Sequence, residues 1–218
     1  MKVLYNNKVL SAMEREEYRI KADDTIQCLS ESIDGFYEIL QELKPSQNKE
    51  YDKIMSTVLD IELFTHYAHC DCVVMLKYFI LSTSPYEKSL FRGKLKVLLN
   101  EGFKKLYGFN DNQYKQSYFN KLGKIIHIFP GLNVEYESLR SDLDWMSKQS
   151  NWWRNERNIE VHIDMSQLCK IRHEEINESK EAIESLQLLN LFNRVNRLIA
   201  NLNQVYINYM REHLKIEY

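Results

Sequence analysis

Between Trp152 and Asp164 the chain reads Trp152-Trp153-Arg154-Asn155-Glu156-Arg157-Asn158-Ile159-Glu160-Val161-His162-Ile163-Asp164, which sets a permanent cation, an amide and an imidazole close together at Arg157, Asn158 and His162. Arginine stays charged and forks onto two oxygens, and histidine is the side chain that both takes and gives a proton near neutral pH. That set suits phosphodiester chemistry: a fork for the phosphoryl oxygens, an acid–base group for the moving proton and an amide to orient one or the other. On a helix Asn158 and His162 stack at i and i+4, but Arg157 lies about 140° round from His162. A regular helix therefore does not aim both at one atom. A kink, a helix start or a second copy of the chain must close the gap.

The run Arg157-Asn158-Ile159-Glu160-Val161-His162 has the form R-N-x-x-x-H and resembles the signature of the HEPN superfamily of helical nucleotide-binding domains. The resemblance rests on this short motif and on an all-helical context, and it names no subfamily. It implies a metal-independent endoribonuclease without a cofactor. In that chemistry the RNA 2′-hydroxyl attacks its own phosphate, leaving a 2′,3′-cyclic phosphate and a 5′-hydroxyl. It also implies catalytic roles for Arg157, Asn158 and His162, and a site commonly completed across a homodimer. A place in toxin–antitoxin or phage-defence systems, with an antitoxin partner, is a further implication. Lys148 and Arg154 add positive charge beside the motif, and Trp152 and Trp153 offer faces for base stacking, so these four are the expected RNA contacts. Glu156, Glu160 and Asp164 offset part of that charge. The alternative reading is a non-catalytic helical dimer that binds a nucleotide or acts as a scaffold, with the motif as a surface turn.

A second cluster, His66-Tyr67-Ala68-His69-Cys70-Asp71-Cys72, contains every usual zinc-ligand type. On one helix those side chains spread around the circumference, whereas zinc sites usually separate ligand pairs by a loop, so a packing layer is the better reading and no metal site is expected. The chain has no glycine-rich phosphate loop, nucleophile elbow or His-Glu-x-x-His sequence, which leaves triphosphate hydrolysis, esterase and metalloprotease readings without support.

The elements that must position the motif read as helices. Three prolines and six glycines in 218 residues are too few for a turn-dense β protein. The expected fold is an all-α antiparallel bundle with a long C-terminal helix, HEPN-like by the resemblance, forming one domain over residues 1–218. Apolar residues from Ile26 to Leu43 mark a first helix from about Val9, stopped by Pro45. Tyr51–Leu81 becomes apolar nearly all round, as a central helix would. Ser84-Pro85-Tyr86-Glu87 carries the cap, proline and glutamate of a helix start, and that helix should run to about Tyr107. Further helices are expected over Asp111–Ile128 and Asn133–Gln149. Around the motif, the alternation of Ile159, Val161 and Ile163 with polar residues sets a short extended piece against helix, and helix is preferred on the resemblance. At the end, Leu188, Leu191, Val195, Leu198, Leu202, Val205 and Tyr209 step by three and four, with Phe192, Ile199 and Tyr206 widening the stripe to a bundle core.

Four cysteines without framework spacing and no signal-peptide pattern lead to the expectation of a soluble cytoplasmic protein. The longest apolar run, Cys72–Leu81, contains Lys77 and is far too short to span a bilayer, so no membrane partner is expected. The formal net charge of −2 is unevenly spread: Tyr86–Lys124 holds nine Lys or Arg and three acids, a net of +6 that leaves −8 elsewhere. Eight aromatic residues are interleaved there, so the segment reads either as a groove for phosphates and bases or as core aromatics with a solvated lysine face.

Overall fold

Side-chain caps set where the helices begin. The computed structural model describes residues 10–42, 48–149, 157–159, 161, 166–167, 169–170 and 176–214. Helix α1 spans Ala12–Glu42 and α2 spans Lys49–Leu81, where the Asn48 side chain accepts from the backbone N–H of Glu50 and Tyr51. The cap extends α2 two residues ahead of the expected Tyr51. The expected bounds Val9 and Leu43 of α1 lie outside the described residues. Helix α3, Pro85–Leu106, starts at the Ser84 cap as its sequence predicts, with Ser84 Oγ accepting from Glu87 N–H. The Glu87 carboxylate does not close the capping box but takes the Ser82 hydroxyl at 2.9 Å.

The expected single helix over Asp111–Ile128 is two helices, α4 (Asp111–Gln116) and α5 (Tyr118–Ile126). Ser117 divides them: its backbone is extended, φ −71° and ψ 158°, and its hydroxyl caps Asn120 N–H. Upstream, Gly108 makes the α3–α4 corner at φ +87°, where a Cβ would sit 2.7 Å from Gln113 Cβ. Only glycine fits that left-handed position against a neighbour so close. A 3-10 turn, Pro130–Leu132, leads into α6 (Asn133–Gln149), and α7 runs over Glu178–Leu214. Among the described residues there is no strand, and no helix is long and apolar enough to cross a membrane.

Side-chain pairs give the directions. Arg15 bonds the Ile80 carbonyl, Asp23 pairs with Lys77, and Phe36 packs edge-on to His66, so α1 and α2 form an antiparallel hairpin. Tyr78 stacks on Phe91 at one end of α3 and Ala68 faces Gly102 near the other, which makes α3 antiparallel to α2. Tyr51 stacks on Tyr206 and Glu62 accepts from Asn203, so α7 also runs against α2. Helix α2 is the central element, packed on α1, α3, α5 and α7. Its Val58, Ile61, Cys72, Leu76 and Phe79 are buried, as its all-round apolar character predicts.

The stripe on α7 is core through Leu188, Leu191, Phe192, Val195, Leu198, Ile199, Leu202 and Tyr206. Val205 and Tyr209 stay 38% and 43% exposed, so the last turns of the stripe reach the surface.

The first turn of α7 is clamped by charge. Lys88, Arg92 and Lys96 recur every four residues along one side of α3. Lys88 and Arg15 pair with Glu178, while Arg92 and Lys96 pair with Glu181 at 2.9 and 2.5 Å. Lys96 and Glu181 are both buried. Burial alone would raise the Glu181 carboxyl, but Lys96 and Arg92 beside it hold it below the usual carboxylate range. Helix α3 therefore fixes the helix that follows the motif in the chain.

Candidate functional site

The motif arginine meets α3 again, one end further on. Arg157 Nε donates to Glu101 Oε1 at 2.8 Å and Nη2 lies 2.6 Å from the same oxygen, while Nη1 donates to Asn158 Oδ1 at 3.1 Å. All three donating positions of the guanidinium are thereby directed, two by a carboxylate from the end of α3 and one by the neighbouring amide. The Arg157 side chain is 23% exposed and that of Glu101 43%, so the pair lies in reach of water and contributes at most about 1 kcal/mol to stability. Residues 157–159 and 161 are helical, in keeping with helix over an extended piece at those positions.

Glu101 also lines a cleft of about 290 Å³ with Lys104, Lys105, Gln113, Gln116 and Ser117. Its wall comes from the last turn of α3, from α4 and from the Ser117 break. The structure therefore brings the motif arginine to the edge of a cleft carrying two lysines, two amides and a hydroxyl. Those groups suit an anionic, hydrogen-bonding ligand.

Of the residues expected to act, Arg157 and Asn158 are together, with Asn158 turned toward Arg157. His162, Trp152, Trp153 and Arg154 lie outside the described residues. Lys148 is exposed in the last turn of α6 and is not among the residues lining the cleft. Glu101 was not singled out by its sequence surroundings. It stands 56 positions before Arg157, and one of three acids in a basic segment carries no signal of the partner it will find. Lys104 and Lys105 belong to the basic stretch that the charge distribution marks out.

That stretch divides in two. Lys88, Arg92 and Lys96 are spent on Glu178 and Glu181 inside the bundle, while Lys94, Lys104, Lys105, Lys115, Lys121 and Lys124 are exposed. Phe103, Tyr107, Tyr118 and Phe119 are core rather than stacking platforms, while Tyr86 is exposed. The buried aromatics and the exposed lysines accord with core aromatics behind a lysine face, while Lys88, Arg92 and Lys96, turned to carboxylates, belong to neither sequence reading.

The residues of the His66–Cys72 cluster are distributed around α2. His66 Nδ1 sits 2.8 Å from the Glu62 carbonyl, its ring packed against Phe36, and His69 and Cys72 are buried. Burial depresses the His69 imidazole to about 4, with His66 adding to the effect, so His69 is neutral at ordinary pH. Glu62, buried on the same helix, is pushed up to about 7 by burial, against the pull of its hydrogen bond from Asn203. Among the described residues no three His, Cys, Asp or Glu are grouped to hold a metal ion.

No family model, curated protein or solved structure matches this chain.

Proposed function

We propose that this protein is a metal-independent endoribonuclease of the HEPN type, working as a homodimer on RNA. The observation that supports the reading best is the motif arginine, oriented by Glu101 and Asn158 at the edge of a lysine-bearing cleft in an all-helical bundle. In the proposed reaction the RNA 2′-oxygen forms a bond to phosphorus and the bond from phosphorus to the 5′-oxygen breaks. One His162 imidazole takes the 2′-hydroxyl proton, and a second, from the other copy, gives a proton to the departing 5′-oxygen. Arg157 stabilises the charge that builds on the five-coordinate phosphorus, where a planar two-pronged donor acts most strongly once water is excluded. Glu101 then holds the guanidinium ready and gives way to phosphate. An antitoxin partner and a role in defence are the biological setting the motif resemblance implies.

The second reading is a non-catalytic binding or scaffolding dimer. It is favoured by the Arg157–Glu101 pair itself, which would serve to tether the motif segment to α3. The two readings part on whether Arg157 and His162 govern a rate or only affinity and stability. RNA cleavage in chelator should fall by about a hundredfold or more in His162→Ala and in Arg157→Ala, with melting temperature little changed. Arg157→Lys should stay severely impaired, because lysine keeps the charge without the fork. If the wild-type chain cleaves none of a varied set of RNAs, while these substitutions only loosen nucleotide binding or unfold the protein, the binding reading replaces the enzyme.

A further inference from the structure

A second groove, of about 710 Å³, lies where the first turns of α2 meet α5. Lys49, Lys53, Lys121 and Lys124 line it together with Glu50 and Thr57, and Ile54, Ile125 and Ile128 supply its apolar part. The lysines come in pairs at helical spacings, Lys49 with Lys53 and Lys121 with Lys124, so each pair presents its charges on one face about 5–6 Å apart at Cβ.

Tyr118 joins this groove to the cleft beside Arg157. Lys105, which lines the first, and Lys121, which lines the second, stand over the Tyr118 ring at 5.1 and 4.9 Å from its centre. Tyr118 is only 7% exposed, whereas Lys105 and Lys121 are both exposed. Lys104 and Lys105 at the end of α3 and Lys49, Lys53, Lys121 and Lys124 around the second groove are thus linked through Tyr118.

None of the six has an ion pair among the described residues, whereas Lys77, Lys88, Arg92 and Lys96 are all matched to carboxylates. Against them the two linings hold only Glu50 and Glu101, and the Asp60 carboxylate acts on Tyr118 between them. The net charge of the two linings is therefore +4, on a protein whose formal total is −2. A surface this concentrated in a net acidic molecule asks for a linear polyanion.

We infer that this face is a binding track for single-stranded RNA, with phosphates on the lysine pairs and the strand leading into the cleft at Arg157. The choice of RNA as the polyanion rests on the ribonuclease reading; the track itself rests on the placement of the lysines. Gln116 and the amide nitrogen of Gln113, whose Oε1 is taken by Phe109 N–H, line the first cleft with the lysines and can meet sugar hydroxyls and base edges. The apolar part of the second groove suits the faces of unpaired bases. An anionic membrane is the poorer fit, since the lysines line concave grooves and do not rim a broad protruding apolar face.

The test is fluorescence polarisation of the full chain with a labelled 2′-O-methyl oligouridine, which lacks the attacking hydroxyl and is not consumed. Six lysines on phosphates give a slope of log affinity against log salt of about −4 for a single strand. Lys121→Ala with Lys124→Ala should bring it to about −3 and weaken binding about tenfold or more at 0.1 M salt. Both lysines are exposed, so the melting temperature should hold. Equal binding by wild type and double variant overturns the track, even if Arg157→Ala abolishes cleavage and so leaves the ribonuclease reading intact. A loss of binding confined to the lysine variant supports the track, even if the wild type proves unable to cleave any RNA and the enzyme reading fails. Wild type that ignores the oligonucleotide, yet sediments with phosphatidylserine vesicles through Lys121 and Lys124, overturns the assignment to RNA.

Discussion

Glu62 and His69 are buried two turns apart on α2, and in each burial favours the neutral form, acting on opposite charges. Glu62 is pushed up from 4.5 to about 7, so between those values the folded state keeps a proton that the unfolded chain has lost. Its contribution to stability therefore declines as pH rises through that window, by about 3 kcal/mol in all. His69 is pushed down from 6.5 to about 4, so there the unfolded chain binds a proton that the folded state refuses, and stability declines as pH falls. The two slopes oppose each other where the windows overlap, and wild-type stability should be comparatively flat there. Replacing Glu62→Gln keeps a partner for Asn203 and removes the first slope. Its advantage over wild type in urea unfolding should grow from near nothing at pH 4.5 to about 3 kcal/mol at pH 8. Parallel pH profiles for the two proteins would mean that Glu62 is already ionised in the fold. Arg157 stands in the opposite setting. Its pair with Glu101 lies in reach of water, so its value is orientation and not stability.

At the scale of elements, α3 does two tasks along its length. Its first turns grip Glu178 and Glu181 at the start of α7, and its last turns hold Glu101 against Arg157 and present Lys104 and Lys105 to the cleft. The segment between α6 and α7 that carries the motif is thus met at both of these points by one rigid helix. The grip on Glu181 is buried, so breaking it one-sidedly is expensive. Lys96→Met should cost on the order of 3 kcal/mol in denaturant unfolding, because it strips a buried carboxylate of its closest cation. Adding Glu181→Gln to Lys96→Met should recover at least half of that loss, since a neutral amide needs no counter-charge. Strictly additive losses in the double variant would show that the two residues do not act as a pair. Ser117 is the other element-scale device. By ending α4 and capping α5 it turns one expected helix into two, and the corner it makes becomes part of the cleft wall.

At the scale of the molecule, a regular helix does not aim Arg157 and His162 at one atom, and of the ways to close that gap (a kink, a helix start or a second copy) the proposed function takes the second copy. Sedimentation at micromolar concentration should show a dimer; a strict monomer that still cleaves RNA would remove the composite site while leaving the motif's chemistry in place. The α7 stripe does not itself argue for two chains, since its Leu188 to Leu202 face is consumed by the core of one. Much of this architecture is legible in the residues alone. The 3.6-residue periodicity of α2 and α7, the scarcity of glycine and proline, and the Ser84-Pro85 start dictate an all-helical bundle, because apolar stripes and caps act over a few neighbouring residues. The motif, with Arg157, Asn158 and His162, and the excess of positive charge over Tyr86–Lys124 are equally properties of the sequence. What the sequence leaves open is how that charge is used. Lys88, Arg92, Lys96, Lys104, Lys105, Lys121 and Lys124 are alike as residue types, yet the first three turn inward to Glu178 and Glu181 and the others face out. Glu101 likewise becomes the partner of Arg157 only when the chain folds back over a separation of 56 positions. A side chain's environment is set by whichever helix packs against it, and that is decided by long-range burial, which no local pattern of residues records.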